Sequence, residues 1–522
     1  MSDERQNLQL ELALHGAGEG EAQTSREQGT ESRVVKGVTE NPATERLMEE
    51  VCEASNLRKA LQRVKANRGA PGVDGMTVEG LAVYFGQHEA ELREQLLGGI
   101  YQPQPVRRVE IEKPDGGMRK LGIPTALDRL VHQAVLQVLQ PHFEPHFSEH
   151  SFGFRPGRSA RQAVSRAQSL IAGGRSWVVD LDLEKFFDRV NHDRLMARIA
   201  KTIADKRVLR LTRRFLKAGV LENGLVEVID EGTPQGSPLS PLLSNIVLDE
   251  LDQELERRGH QFARYADDCN IYVASERAGQ RVMASISSFI SKRLKLKVNA
   301  DKSAVGRPWE RKFLGFRITA DQPPKRTIAP KAITRFKGRV RELTRRARGM
   351  SFPTVVEDLK PYLRGWGNYF GWCQTPQVLR ALDKWVRRRL RCYRWAQFQH
   401  PKRRHQELRK RGVPERLVAL SGSSTGAWRA STSKAINFAF PNAYFDELGL
   451  PRLAPRLLNP PNRRIRNRTY GGVGGAEPRG SPLSRLSALQ RIVHGSGCES
   501  SAALRCSSRG RTAAAAASPR RR

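Results

Sequence analysis

Apolar residues fall at two different spacings along this chain, and the change from one to the other divides it. In the middle the spacing is that of strands. Ser176-Trp-Val-Val-Asp-Leu-Asp-Leu183 is a β-branched and aliphatic run that ends by delivering Asp182. Gln261-Phe-Ala-Arg-Tyr-Ala266 and Cys269-Asn-Ile-Tyr-Val273 are two shorter runs flanking Asp267-Asp268, which predicts a hairpin with two acids at its tip. Glu184-Lys-Phe-Phe-Asp188 reads as the start of a helix, and Leu242 to Leu251 as an apolar helix. Turn signals such as Gly69-Ala-Pro-Gly72 and Pro114-Asp-Gly-Gly117 break the elements apart. The pattern from about Thr44 to Ile318 is therefore that of an α+β body.

After Pro330 the spacing becomes helical. Ile333, Phe336, Val340 and Leu343 recur at intervals of 3, 4 and 3, which places them on one face of a helix with Arg and Lys opposite. Val355, Leu359, Leu363, Trp366 and Phe370 form a second such face. Val378, Leu382, Trp385 and Val386 form a third, just before Arg387-Arg-Arg389. Three basic helices in succession predict a small helical domain with one strongly basic surface, although a single such run usually only solvates an exposed face. The ends differ again. Residues 1-45 are rich in Glu, Gln, Ser and Gly and poor in large apolar side chains, so they are expected to be disordered. Residues 451-522 drift into Pro, Gly, Arg, Ser and Ala and read as a basic low-complexity tail. The expected organisation is thus 1-45, 46-320, 325-450 and 451-522.

Charge narrows the partner. Of 522 residues, 90 are Lys or Arg and 54 Asp or Glu, a formal net charge of +36. That excess points to a polyanion, nucleic acid first. A membrane is the rival, but no apolar run approaches the roughly 20 residues that span a bilayer. The six cysteines show no two-residue spacing suited to zinc and read as reduced thiols. The first twenty residues carry acids and match neither a signal peptide nor a transit peptide, so a cytoplasmic protein is expected.

If the hairpin lies beside the strand ending at Asp182, three carboxylates converge, and hard oxygen donors of this kind suit Mg²⁺. Two such ions roughly 4 Å apart can activate a 3′-hydroxyl and stabilise a leaving pyrophosphate. Taken alone, Asp-Asp in a tight turn is usually structural. It is not alone here: Tyr265-Ala-Asp-Asp268 following Val179-Asp-Leu-Asp-Leu-Glu-Lys-Phe-Phe-Asp188 resembles the reverse-transcriptase family. The likeness runs from roughly Asn67 to Phe316. Gly69-Ala-Pro-Gly-Val-Asp-Gly75 resembles the amino-terminal block of group II intron and related enzymes, and Ser151-Phe-Gly-Phe-Arg-Pro-Gly-Arg-Ser159 resembles their block ahead of the first catalytic strand.

The resemblance implies a right-hand polymerase, with fingers and a palm built on an antiparallel sheet, followed by a helical thumb. It implies that Asp182, the Leu183 carbonyl, Asp267 and Asp268 hold two Mg²⁺ ions, with Asp180 and Asp188 structural. Phe187 matches the position whose ring faces the sugar and excludes a 2′-hydroxyl, and Phe186 is expected in the core. Lys113 and Arg119 match the cations over the triphosphate. The phrase Gly232-Thr-Pro-Gln-Gly-Ser-Pro-Leu-Ser-Pro241 matches the turn that meets template and nucleotide, through Pro234, Gln235 and Gly236. Lys302, in Asn299-Ala-Asp-Lys302, matches the lysine credited with protonating pyrophosphate, and Phe313-Leu-Gly-Phe316, with Leu314 and Gly315, the primer grip. Arg155 and Arg158 are expected at the template, and Arg387, Arg388 and Arg389 on intron RNA.

From about Lys325 to Gly412 the chain resembles the maturase domain of group II intron proteins, carried by Leu363-Arg-Gly-Trp-Gly-Asn-Tyr-Phe370 and Leu382-Asp-Lys-Trp-Val-Arg-Arg-Arg-Leu390. The implied partners are intron RNA, an RNA template with its DNA primer, deoxynucleotides and target DNA; self-association into a homodimer is left open. Neither the His-Asn-His nuclease motif nor the paired cysteines of many relatives is found, so mobility by reverse splicing with a host-supplied primer is expected. A retron-like, CRISPR-associated or phage-defence reverse transcriptase, and a splicing-only RNA-binding maturase, are the alternative readings.

Overall fold

The strands run β1 (Val106–Glu112), β2 (Met118–Ile123), β3 (Trp177–Leu181), β4 (Val220–Glu222), β5 (Leu225–Glu227), β6 (Gln261–Tyr265), β7 (Asp268–Val273), β8 (Ala304–Gly306), β9 (Phe316–Ile318) and β10 (Arg326–Ile328). The computed structural model describes residues 44–454 except 113–117, 223–224, 228–230, 233–235, 346–348 and 422–425, and leaves out the side chains of Glu112, Arg119, Glu222, Leu225 and Glu227. The described residues belong to one unit of the chain. Most of the 1-45 and 451-522 segments lies outside them.

One four-stranded sheet has the order β2-β1-β4-β5 and a second β6-β7-β3-β8, while β9 and β10 pair as a two-stranded ribbon. The second is antiparallel throughout. Side chains alternate across a strand, and this alternation assigns its two faces. Val179, Leu181, Phe262, Cys269 and Ile271 join a core with the helices Ala126–Phe143, Ser240–Arg257 and Glu276–Phe289. Val178, Ala263 and Tyr272 join a second core with the helix Ala160–Ala172 and with the chain beyond Phe313. Asp180 and Asp182 alternate onto this second face.

The three basic helices are Pro330–Leu343, Phe352–Phe370 and Pro376–Gln397. Phe336, Val340 and Leu343, then Val355, Leu359, Leu363 and Trp366, then Leu382 and Val386 are buried, as their spacing predicts. Their residues share a core with the sheet, so the expected border between 46-320 and 325-450 is crossed by continuous packing. Among the described residues no helix is long and apolar enough to cross a membrane, and Cys52, Cys269, Cys373 and Cys392 are buried free thiols.

One expected element is corrected. Glu184 to Asp188 does not open a helix; Phe186–Asp188 is a single 3₁₀ turn, entered through Lys185 at φ +49°. The Glu184 amide donates to the Lys297 carbonyl at 2.8 Å, which keeps the chain extended past Leu183.

Candidate active site

The β3–β7 ladder ends with Leu181 facing Cys269. One step further along both strands, Asp182 stands opposite Asp268. In the β6–β7 ladder Tyr265 pairs with Asp268, so Ala266 and Asp267 form the two-residue turn between them. Ala266 has φ +56°, the left-handed first position that such tight hairpins require. The strand and the hairpin thus bring three acids to one end of the sheet.

Gathered acids raise one another's proton affinity. Removal of solvent on its protein side, then Asp267, Asp180 and Asp182, push the Asp268 carboxyl up to about 7. Loss of solvent on that side is the largest of these causes, and the convergence of acids adds to it. Asp180 is set apart from this trio. Arg311 donates to its Oδ2 from Nε and Nη2, at 3.1 and 2.7 Å, consistent with the structural part expected of it. The Asp182 backbone is fixed by its amide bonding to Ser303 Oγ (2.9 Å) and by the Asn299 amide donating to its carbonyl (2.8 Å). These bonds bring the Lys302 ammonium to 3.5 Å from Asp182 Oδ2. The Leu183 carbonyl takes no part in the two bonds that join its segment to Lys297 and Asn299.

Among the described residues no group of three or more His, Cys, Asp or Glu is arranged so as to hold a metal ion by itself. The donor set still fits Mg²⁺, which is held through one or two carboxylates and completes its shell with water and substrate phosphate.

Sequence reasoning missed what holds the turn. Arg264 has no exposed surface and forms a bidentate pair with Asp252, Nε to Oδ1 at 2.7 Å. Its Nη1 donates to Asn245 Oδ1 (3.0 Å) and to the Ala266 carbonyl (2.9 Å). Asn245 Nδ2 then donates to the Gly153 carbonyl at 2.9 Å. A Cβ on Gly153 would stand 2.2 Å from the Ala266 amide nitrogen, so only glycine lets this loop lie against the turn. The available signal was that Arg264 alternates with Phe262 onto the core face, where a cation must find a partner.

Other motif residues gather around this end. Gly236 has φ +123°, and a Cβ there would lie 2.7 Å from the Gly122 carbonyl, so the two glycine-bearing phrases meet backbone to backbone. Phe186 is buried; Phe187 is half-buried, its ring 5.2 Å from that of Phe186. Leu314 and Gly315 form a turn with φ of +50° and +79°. The Tyr369 hydroxyl donates to the Leu314 carbonyl at 2.9 Å, and Phe370 lies where a Gly315 side chain would go.

Comparison with known proteins gives the family. Residues 111–318 match the family described as reverse transcriptase (RNA-dependent DNA polymerase), and residues 333–412 the group II intron, maturase-specific domain. Protein YkfC of Escherichia coli K12 is 33% identical over 302 residues, spanning 50% of this chain and 79% of that protein. The group II intron-encoded protein LtrA of Lactococcus lactis is 40% identical over 197 residues, 37% of this chain and 32% of LtrA. The chain belongs to the group II intron reverse transcriptase/maturase family. This reverse transcriptase, an RNA-directed DNA polymerase, also resembles a solved partial Cas6-RT-Cas1–Cas2 complex at 23% identity, covering 50% of this chain and 45% of that one, with a TM-score of 0.32, too loose a likeness to carry any argument.

Several expected contact residues of the reverse transcriptase are turned inward instead. Arg155 is buried, bonded to Glu144 Oε1 (2.8 Å) and to the Ser148 and Ser151 carbonyls. It braces its own loop and does not present itself to a template. Arg158 is half-buried over the Phe152 ring. Arg387 is buried between Asp383 (3.3 Å) and Asp446 (3.2 Å). Arg388 stacks on Trp428, 3.9 Å from its centroid, and Arg389 donates to Thr344. The expected RNA-binding run is therefore largely an internal brace, because a long guanidinium stem reaches acids and rings from neighbouring helices. Lys113, Pro234 and Gln235, and the side chain of Arg119, lie outside the described residues.

Proposed function

We propose that the chain copies RNA into cDNA by two-metal nucleotidyl transfer and, as a maturase, binds its group II intron RNA to assist splicing and mobility. The observation that carries the reading is the ladder register that sets Asp182 opposite Asp268, with Asp267 in the adjoining turn. Asp182, Asp267, Asp268 and the Leu183 carbonyl would hold two Mg²⁺ ions, which when bound favour the ionised primer 3′-hydroxyl and neutralise charge on the leaving pyrophosphate.

The chain's own groups supply the remainder. Lys302, already beside Asp182, is placed to give a proton to pyrophosphate. Phe187 occupies the volume a 2′-hydroxyl would need. Gly236, with Pro234 and Gln235, lets the backbone approach the new base pair, and Lys113 and Arg119 meet the triphosphate. Leu314 and Gly315 hold the primer, and Arg158 serves the template side.

On the maturase side, basic helices read the shape of folded RNA, since a deep A-form groove hides its bases. The match to the maturase-specific domain favours this reading over a retron-like or defence enzyme. Target DNA enters through reverse splicing.

The test is purified protein with its intron RNA and a primed RNA template. Asp267→Ala should abolish Mg²⁺-dependent primer extension and leave splicing assistance close to that of the parent. Equal loss of both would overturn the division of labour.

A further inference from the structure

Phe154 combines two features that each carry a cost. Its φ of +60° lies in the left-handed region that side chains rarely adopt, and its ring is 49% exposed. Glycine would meet the backbone requirement without strain. Strain kept beside a reactive centre is a pointer to use.

The loop that carries this ring is fixed on both sides. The Phe152 amide donates to the Arg264 carbonyl at 2.8 Å, Gly153 lies against the Ala266 amide, and Arg155 is locked by Glu144 and two carbonyls. Phe154 is thus presented rigidly, with its centroid 6.4 Å from the Tyr265 ring and the planes tilted by 44°. Tyr265 pairs directly with Asp268 and shares its face of the sheet. Tyr369 packs against the same core as Tyr265. Tyr369 in turn bonds the Leu314 carbonyl. On the face that carries Asp268, the half-buried Tyr265 is therefore continued outward by the exposed Phe154 ring.

We infer that Phe154, backed by Tyr265, is a contact shelf for the terminal base pair of the template–primer hybrid. This rests on the polymerase reading. The neighbouring Arg155 is occupied internally, so what Phe154 itself adds is apolar area and a π-face. Such a surface suits sugars and base faces, which every nucleotide presents, and gives contact without sequence preference.

Two measurements on the full-length protein test this. Affinity for a fluorescein-labelled DNA primer annealed to an RNA template, read by anisotropy in EDTA, needs no chemistry. Thermal denaturation reads the strain. Phe154→Gly should have a Tm at or above the parent and a Kd raised about tenfold, as for loss of one stacked base contact, and Phe154→Trp should restore Kd toward the parent value. A lower Tm for Phe154→Gly, or an unchanged Kd, would show that the ring is packing and overturn the inference. Mg²⁺-dependent extension by the unaltered protein, run alongside, separates failure of the polymerase reading from failure of the shelf.

Discussion

Arg264 donates to the carbonyl of Ala266 at 2.9 Å from a site with no solvent exposure. The turn that carries Asp267 and leads into Asp268 is thereby positioned from beneath, by a residue on the opposite face of the sheet. Removing one member of a buried, hydrogen-bonded ion pair leaves the other uncompensated, at a cost of about 3–5 kcal/mol. Asp252→Asn and Arg264→Met should each show a loss of that order in urea denaturation. The joint replacement Arg264→Met with Asp252→Leu should recover part of the stability and none of the extension activity, because the Ala266 carbonyl stays without its donor.

The acid cluster makes stability depend on pH. Folded Asp268 holds its proton up to about 7, whereas its ordinary value is 3.8. Between those limits the folded chain binds a proton that the unfolded chain has released, so metal-free stability falls as pH rises from about 4 to about 7. Asp268→Asn should flatten that part of the curve and raise the metal-free Tm at pH 7.5, while abolishing extension. Mg²⁺ should raise the Tm of the parent and not that of Asp268→Asn. A parent Tm insensitive to pH across this window would sink the account.

Gly236→Ala puts a Cβ 2.7 Å from the Gly122 carbonyl at φ +123°. Two backbones must separate, and strain of this kind costs of order 1–3 kcal/mol. Steady-state kinetics should show a loss in kcat/KM for deoxynucleotide of about tenfold or more, with the affinity for template–primer unchanged.

Phe187→Ala should open space beside the sugar. Incorporation of ribonucleotides relative to deoxynucleotides should rise roughly tenfold or more, the scale on which one filled volume discriminates substrates. Phe186→Ala should instead lower stability, since that ring is in the core.

Arg387→Ala should weaken the fold of the helical region, and the slope of RNA affinity against salt should stay near that of the parent. Lys402, Arg403 and Lys410, exposed on the helix Pro401–Lys410, should behave the other way. Replacing all three by Ala should reduce the salt slope by about two to three units with little change in Tm.

These contrasts mark what the sequence could and could not tell. The three carboxylates and the apolar stripes of the helices were legible because each rests on local spacing: a strand that ends in an acid, a tight turn, a period of 3.6. Arg155 was misread because its own loop folds back on it, bringing Glu144 and the Ser148 and Ser151 carbonyls around the guanidinium, and Arg387 because one of its partners is remote. Asp446 is 59 residues from Arg387, and nothing local distinguishes an arginine that will be enclosed from one that solvates a helix. Arg264 went unnoticed for the same reason, its role fixed by Asp252, Asn245 and a loop more than ninety residues upstream. Glu184 to Asp188 carries a helical composition, and a single backbone bond to Lys297 overrides it.

The bond from Tyr369 to Leu314, with Phe370 closing over Gly315, joins a phrase of the maturase segment to a turn of the polymerase. A chain cut after Ile318 would keep every acid and still lose both of these braces, together with the apolar cover over Phe316. The two activities are therefore not separable cassettes. A form used for DNA synthesis alone would still need the helical segment to hold this turn.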